Sequence, residues 1–122
     1  MYYQKLLYIF FLVLALNLSF FSTNKVNAKA FLIDEIEISE KLENNFNKNN
    51  LINKGFKKAF KELMSKLIKS KDLDKTKSIS LSKIKSMIDT FSIKEEKFIN
   101  EIYYIKLNVS FNKKIIFDLL EY

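Results

Sequence analysis

The chain contains no cysteine, histidine, tryptophan, proline or arginine, and its single glycine is Gly55. The absence of cysteine excludes disulfides, a disulfide-linked partner, thiol catalysis and a lipid anchor on an amino-terminal cysteine. Because histidine is also absent, the common serine triads and zinc sites with His or Cys ligands are excluded. One glycine cannot supply a glycine-rich phosphate-binding loop. We therefore expect a protein that is not an enzyme and that binds no metal or cofactor.

The first 30 residues have the three parts of a secretory signal. Lys5 precedes an apolar run from Leu6 to Phe21, which only Asn17 and Ser19 interrupt. A short polar stretch then leads to Ala28-Lys29-Ala30, whose small residues suit cleavage after Ala28 or after Ala30. We predict a leader at residues 1–30, one domain at residues 31–122, and a periplasmic or secreted location after cleavage.

The alternative is an inner-membrane anchor formed by an uncleaved segment from Leu6 to Phe21. This segment has 16 residues and would span roughly 24 Å as a helix, at ~1.5 Å per residue. Because a hydrocarbon core is ~30 Å thick, the segment is short for an anchor. Cleavage is the favoured prediction.

Lysine supplies all the positive charge of the chain, which has 21 lysines, 14 acidic residues and a net charge of +7. Lys5, Lys25 and Lys29 belong to the predicted leader, so residues 31–122 carry 18 lysines, 14 acidic residues and a net charge of +4. That charge is ordinary for a soluble domain and is not typical of nucleic-acid binding. We expect no nucleic-acid partner.

The first half of the predicted domain contains a strand, a loop and a long helix. Alternation of Ile36 and Ile38 with acidic residues predicts a strand within Phe31 to Glu43. The polar stretch from Asn44 to Asn50 indicates a loop. From Leu51 onward, apolar residues recur at spacings of three and four, which predicts an amphipathic helix of about 18 residues. Its candidate N-caps are Asn50 and Asn53.

The second half begins with a polar loop from Ser70 to Ser78 and a shorter helix around Ile84, capped by Ser80 or Ser82. Phe91 and Ile93 then indicate extended chain. Alternation from Ile105 to Phe111 predicts the clearest strand, with one of Tyr103 and Tyr104 facing the core and the other exposed. A short helix capped by Asn112 follows.

This order of elements is strand, helix, helix, strand, strand, helix. It predicts an α+β fold in which two main helices pack on one face of a small, mostly antiparallel sheet. Neither an internal repeat nor a second domain is visible in the sequence.

Three pairs of carboxylates are the remaining candidates for chemistry: Glu35 with Glu37, Asp72 with Asp74, and Glu95 with Glu96. Two carboxylates can hold a hard cation or divide acid and base roles between them. The segment around Asp72 lacks the glycine and the further ligands of a calcium loop. A solvated surface is the favoured interpretation of all three pairs, and a carboxylate-based hydrolase is the minor alternative.

Four lysines of the long helix form a candidate interaction face, which we call the lysine face: Lys54, Lys57, Lys58 and Lys61. Their spacing of i, i+3, i+4 and i+7 places them on one side of the helix. Such a face can attract anionic lipid headgroups, at ~1 kcal/mol per lysine, or an acidic partner protein. The simplest interpretation is the solvated outer side of an amphipathic helix.

Several segments resemble an exported proteobacterial family, the one named domain of unknown function 2066. They are the Ile/Glu strand after the leader, the helix with Gly55-Phe56-Lys57-Lys58-Ala59-Phe60, and the strand Ile105 to Phe111 followed by Leu119-Leu120. The resemblance implies an exported α+β domain and carries no activity. The chain departs from the family at Ile68-Lys69-Ser70, where the family has a glycine, and in lacking the family's second region.

These observations predict a non-enzymatic interaction or accessory domain of the bacterial envelope. We expect its partner to be an envelope protein, bound through a sheet edge or through the lysine face. The alternative is a peripheral protein that binds anionic membrane surfaces through the lysine face.

Overall fold

Three antiparallel strands form the sheet of this protein in a computed structural model that describes residues 2–5, 7 and 31–121. The strands are β1 (Leu32–Lys41), β2 (Ile88–Ile99) and β3 (Ile102–Phe111). Their order is β1-β3-β2, so β3 is central and the other two strands are the edges. The predicted cleavage sites and nearly all of the predicted anchor lie outside the described residues.

Within residues 31–121, four α-helices accompany the sheet: α1 (Lys48–Leu67), α2 (Leu73–Thr76), α3 (Leu81–Ser86) and α4 (Lys113–Leu120). A turn of 3-10 helix, Ser70–Asp72, precedes α2. The predicted α+β fold with an antiparallel sheet is confirmed. Among the described residues, none of the helices has both the length and the apolar character needed to cross a membrane.

The long helix α1 begins earlier than predicted, within the stretch that was expected to be a loop. Asn47 is its N-cap, and the side-chain oxygen of Asn47 accepts hydrogen bonds from the backbone N–H groups of Asn49 and Asn50. A capping side chain satisfies N–H groups that have no partner inside the helix. The predicted caps Asn50 and Asn53 therefore lie inside α1. The predicted caps Ser80 and Asn112 are confirmed at α3 and α4.

The predicted loop from Ser70 to Ser78 is largely helical, because the 3-10 turn and the single turn of α2 occupy most of it. Leu73 and Thr76 are half-buried there, and the Thr76 hydroxyl donates to the carbonyl of Leu73. The lysine-rich composition that indicates a loop here reflects only the exposed side of these turns.

The hairpin of β2 and β3 is longer than its apolar pattern indicates. The charged stretch from Lys94 to Lys97 continues β2 and pairs with β3 through Glu95, Glu96 and Lys97. Asn100 and Glu101 form the two-residue turn, with φ values of 51° and 63°. Two consecutive left-handed residues are the signature of a type I′ turn, which matches the twist of the flanking strands.

A bulge in β1 lets Ile33 and Ile36 both face the core, although they are three positions apart in the sequence instead of the usual two. The register shifts between these residues, and Glu35 has a φ of 55°. The backbone N–H of Glu35 donates to the side-chain oxygen of Asn108 on β3 at 3.0 Å. This bond compensates for part of the interrupted ladder.

The core lies between α1 and one face of the sheet. Leu51, Phe56, Ala59, Phe60, Leu63 and Met64 of α1 are buried, as are Ile105, Leu107, Val109 and Phe111 of β3. Gly55 also lies on the buried side of α1 and allows the helix to approach Ile38 and Leu107 closely. The opposite face of the sheet carries no helix among the described residues, and its side chains are mainly polar.

Candidate interaction surface

The lysine face divides into two pairs of side chains in the structure. Lys54 and Lys58 turn toward the outer edge of β1: Lys54 Nζ lies 3.1 Å from Glu40 Oε1, and Lys58 Nζ donates to the backbone carbonyl of Glu37 at 2.8 Å. These two lysines therefore cover the edge of β1. A lysine on a strand edge discourages another strand from pairing there.

Lys57 and Lys61 lie on the other side of α1, at a groove between α1 and the segment that contains α2 and α3. Apolar side chains also line this groove, among them Phe60, Leu73 and Ile84. The four lysines are all exposed, but only two of them border the groove. The structure thus does not present them as one unoccupied face.

The predicted carboxylate pairs are separated or paired with lysines. On the open face of the sheet, Lys106 Nζ lies 3.2 Å from Glu37 Oε1 and 3.7 Å from Glu95 Oε2. Lys97 Nζ lies 2.7 Å from Glu95 Oε1, and the hydrogen bond from Lys97 lowers the pKa of Glu95. This row of alternating charges joins all three strands.

Glu96 is adjacent to Glu95 but pairs elsewhere, because the two side chains project from opposite faces of β2. Glu96 accepts hydrogen bonds from Lys48 Nζ and from the hydroxyl of Tyr103. Tyr103 is half-buried, with its ring centroid 5.2 Å from that of Phe46. These contacts join the start of α1 to the hairpin.

The partners of Glu96 shift the pKa values of the cluster. The hydrogen bond from Lys48, followed by that from Tyr103, holds the pKa of Glu96 below its ordinary value of 4.5. The same carboxylate raises the pKa of Tyr103 and of Lys48. Because all three side chains lie close to solvent, screening limits what they contribute to stability.

We expect Glu96→Gln to reduce the loss of folding stability that accompanies a fall in pH below about 4.5. The folded-state pKa of Glu96 is lowered, so the unfolded chain binds more protons between the folded pKa and 4.5. The stabilisation is therefore present above pH 4.5 and is lost as the pH falls through the folded pKa. The measurement is the urea midpoint of the wild type and the variant across the acid range.

A suitable control for this experiment is Glu43→Gln, because Glu43 makes no salt bridge among the described residues. We expect the control to keep the acid dependence of the wild type. Equal acid dependence in Glu96→Gln and the wild type would contradict the role assigned to Glu96.

Exposed apolar side chains concentrate along β2 and at the end of the hairpin. Seven large apolar side chains are exposed among the described residues from 31 onward. Five of them form what we call the β2 surface: Leu42, Phe91, Phe98, Ile99 and Tyr104. Leu42 belongs to this end of the sheet because its N–H donates to the carbonyl of Glu101 at 2.8 Å. Phe91 and Phe98 lie on the helix side of the sheet, and Ile99 and Tyr104 lie on the open side.

The two most exposed members of the β2 surface are Phe98, at 58%, and Ile99, at 51%. Phe91 is anchored from below, since its ring lies edge-on to that of Phe56 of α1, with centroids 4.9 Å apart. Tyr104 is exposed and Tyr103 is half-buried, as their alternation predicts.

Sequence reasoning missed the β2 surface. The apolar residues Phe91, Phe98 and Ile99 are spread over a segment with four charged residues at its centre, so their pattern is not that of a binding motif. The sequence did contain one usable signal, which is a pair of large apolar residues directly beside a turn. Phe98 and Ile99 stand next to the turn Asn100-Glu101, where a chain normally places polar residues.

No family model, no curated protein sequence and no solved structure matches this chain. The resemblance to the domain of unknown function 2066 therefore stays a prediction. Within the described residues, no three acidic side chains come together at a spacing that suits a metal ion.

Proposed function

We propose that this protein is a non-enzymatic interaction domain of the bacterial envelope, and that it binds another protein through the β2 surface. The observation that carries the proposal is the set of exposed apolar side chains at the β2 edge and the hairpin end, with Phe91 and Phe98 on the helix side of the sheet and Ile99 and Tyr104 on the open side. The amino-acid pattern of residues 1–30 supports an envelope location.

The geometry of the two sheet edges supports the choice of β2. The carbonyl of Glu37 on β1 is occupied by Lys58, and Glu40 by Lys54. β2 pairs only with β3 among the described strands. An edge strand with free backbone groups and adjacent apolar side chains can accept a strand or loop of a partner.

A photo-crosslinking residue at position 98, incorporated into the full-length chain in its host, tests the proposal. We expect a discrete cross-linked product whose partner can be identified by mass spectrometry. The matched control is the same photo-crosslinker at Phe117, which is also an exposed phenylalanine, at 43%, but lies on α4.

Two results would count against the proposal. The first is the absence of any product from position 98. The second is the same set of products from positions 98 and 117, because equal capture at both sites would reflect random collisions.

A second candidate function is binding to anionic membranes through the lysine face. It is supported by Lys57 and Lys61, whose charges border an apolar groove. Vesicle sedimentation tests this function: we expect salt-sensitive binding that Lys57→Glu with Lys61→Glu abolishes. Lys83→Glu with Lys85→Glu, on the exposed side of α3, is the control, and equal loss in both double variants would exclude a localised site.

A further inference from the structure

The backbone groups on the outer edge of β2 can be assigned from the hairpin turn. In a hairpin with a two-residue loop, the flanking residues, here Ile99 and Ile102, bond to each other through their backbones. Backbone groups alternate between the two sides of a strand, so those of Phe98 and Glu96 point away from β3.

The irregularity at Lys94 changes this alternation. Ile93 pairs with Leu107 and Glu95 pairs with Lys106, which leaves Lys94 as an extra residue. On the amino-terminal side of Lys94, the residues whose backbone groups point away from β3 are therefore Ile93 and Phe91. The outer edge of β2 therefore presents Phe91, Ile93, Glu96 and Phe98, all with side chains on the face of the sheet that carries α1.

We propose that the β2 surface binds a second copy of this chain, with the two β2 strands antiparallel and adjacent. This inference rests on the proposed function, for which it names the partner. Phe91 then lies opposite Phe98 of the second copy, and Ile93 lies opposite Glu96 of the second copy. Because these residues all point outward, both pairs can form the two backbone hydrogen bonds of an antiparallel ladder.

The charges of β2 are compatible with this register. Lys94 lies opposite Glu95 of the second copy, and the twofold symmetry repeats the pair. Sliding one strand by two residues in one direction instead places Lys94 opposite Lys97 and Glu95 opposite Glu96. Like charges directly opposite each other are destabilising, so they oppose that shift.

The aromatic residues favour the same register. Phe91 and Phe98, exposed by 48% and 58%, would form two cross-strand aromatic pairs in the dimer, and such pairs stabilise a sheet. Phe91 also lies edge-on to Phe56 of α1, which holds its ring beside the outer edge of β2. The result is a continuous six-stranded sheet in the order β1-β3-β2-β2-β3-β1.

Disulfide trapping tests both the dimer and its register, because the chain has no cysteine of its own. In the proposed dimer, Ser92 lies opposite Lys97 of the second copy in a pair without backbone hydrogen bonds. Such pairs have Cα atoms ~4.5 Å apart, within the range of ~4.4 to 6.8 Å that a disulfide accepts. Within one chain, five residues of extended strand separate the two positions by roughly 16 Å.

The full-length chain with Ser92→Cys and Lys97→Cys is oxidised in cells and analysed by non-reducing electrophoresis. We expect its band to shift from monomer to covalent dimer and to return to monomer with reductant. Each single variant alone is expected to stay monomeric, whereas the two single variants expressed together are expected to yield the dimer. Phe98→Asp, added to the double variant, is expected to reduce the dimer band.

Other outcomes distinguish the two proposals. A double variant that stays monomeric, while position 98 cross-links a different protein, would overturn the dimer and leave the proposed function intact. No capture in either experiment would overturn both. Equal cross-linking of the single variants would show random collision and would also overturn the dimer.

Discussion

Leu63→Ala is expected to destabilise the domain by about 2 to 5 kcal/mol, the usual range for a buried leucine replaced by alanine. Leu63 lies on α1 and is fully buried within the hydrophobic core. A domain of 92 residues has a stability on the order of 5 to 14 kcal/mol. The substitution therefore removes a large part of the total, and chemical denaturation followed by circular dichroism measures the loss.

Leu42→Ala is the matched control, because it makes the same chemical change at a leucine that is 45% exposed. We expect it to change stability by less than about 0.5 kcal/mol, as surface substitutions usually do. Similar losses in the two variants would contradict the placement of α1 on the sheet. Since Leu42 belongs to the β2 surface, its variant remains useful for binding experiments.

The elements that sequence analysis predicts correctly have a repeating local pattern. α1 repeats apolar residues at spacings of three and four, and β3 alternates them from Ile105 to Phe111. The start of α1 was misplaced because Asn47 to Asn50 is polar throughout, and the structure uses that stretch for a cap and a first turn.

The features that could not be predicted depend on contacts between distant segments. The bulge at Glu35 is visible only when β1 is aligned with Asn108 of β3. The charged centre of β2 forms a strand because β3 pairs with it. In the same way, Lys54 and Lys58 bind Glu40 and the carbonyl of Glu37 because β1 lies beside α1. The spacing of the lysines alone does not indicate these contacts.

Gly55→Ala is expected to destabilise the domain by up to about 2 kcal/mol. A Cβ atom at this position would lie 2.5 Å from Cδ1 of Ile38 and 2.5 Å from Cδ1 of Leu107. Overpacking of this kind costs about 1 to 3 kcal/mol, and the better helix propensity of alanine offsets roughly 1 kcal/mol of it. The measurement is the free energy of unfolding in urea.

A double-mutant cycle with Ile38→Val assigns the effect of Gly55→Ala to the contact. Valine lacks the Cδ1 atom of isoleucine, so the double variant is expected to lose less stability than the two single variants combined. Strictly additive losses, or stabilisation of the protein by Gly55→Ala alone, would contradict the close approach of α1 to the sheet.

Export is the claim on which the functional proposal depends, and the intact mass of the protein from its host, fraction by fraction, tests it most directly. We predict a soluble envelope species that begins at Lys29 or Phe31, the residues that follow the two candidate cleavage sites. Recovery of the complete 122-residue chain from the cytoplasm would contradict export. Recovery of the 122-residue chain from the membrane fraction would instead show that residues 1–30 are not cleaved and would support the membrane-anchor alternative.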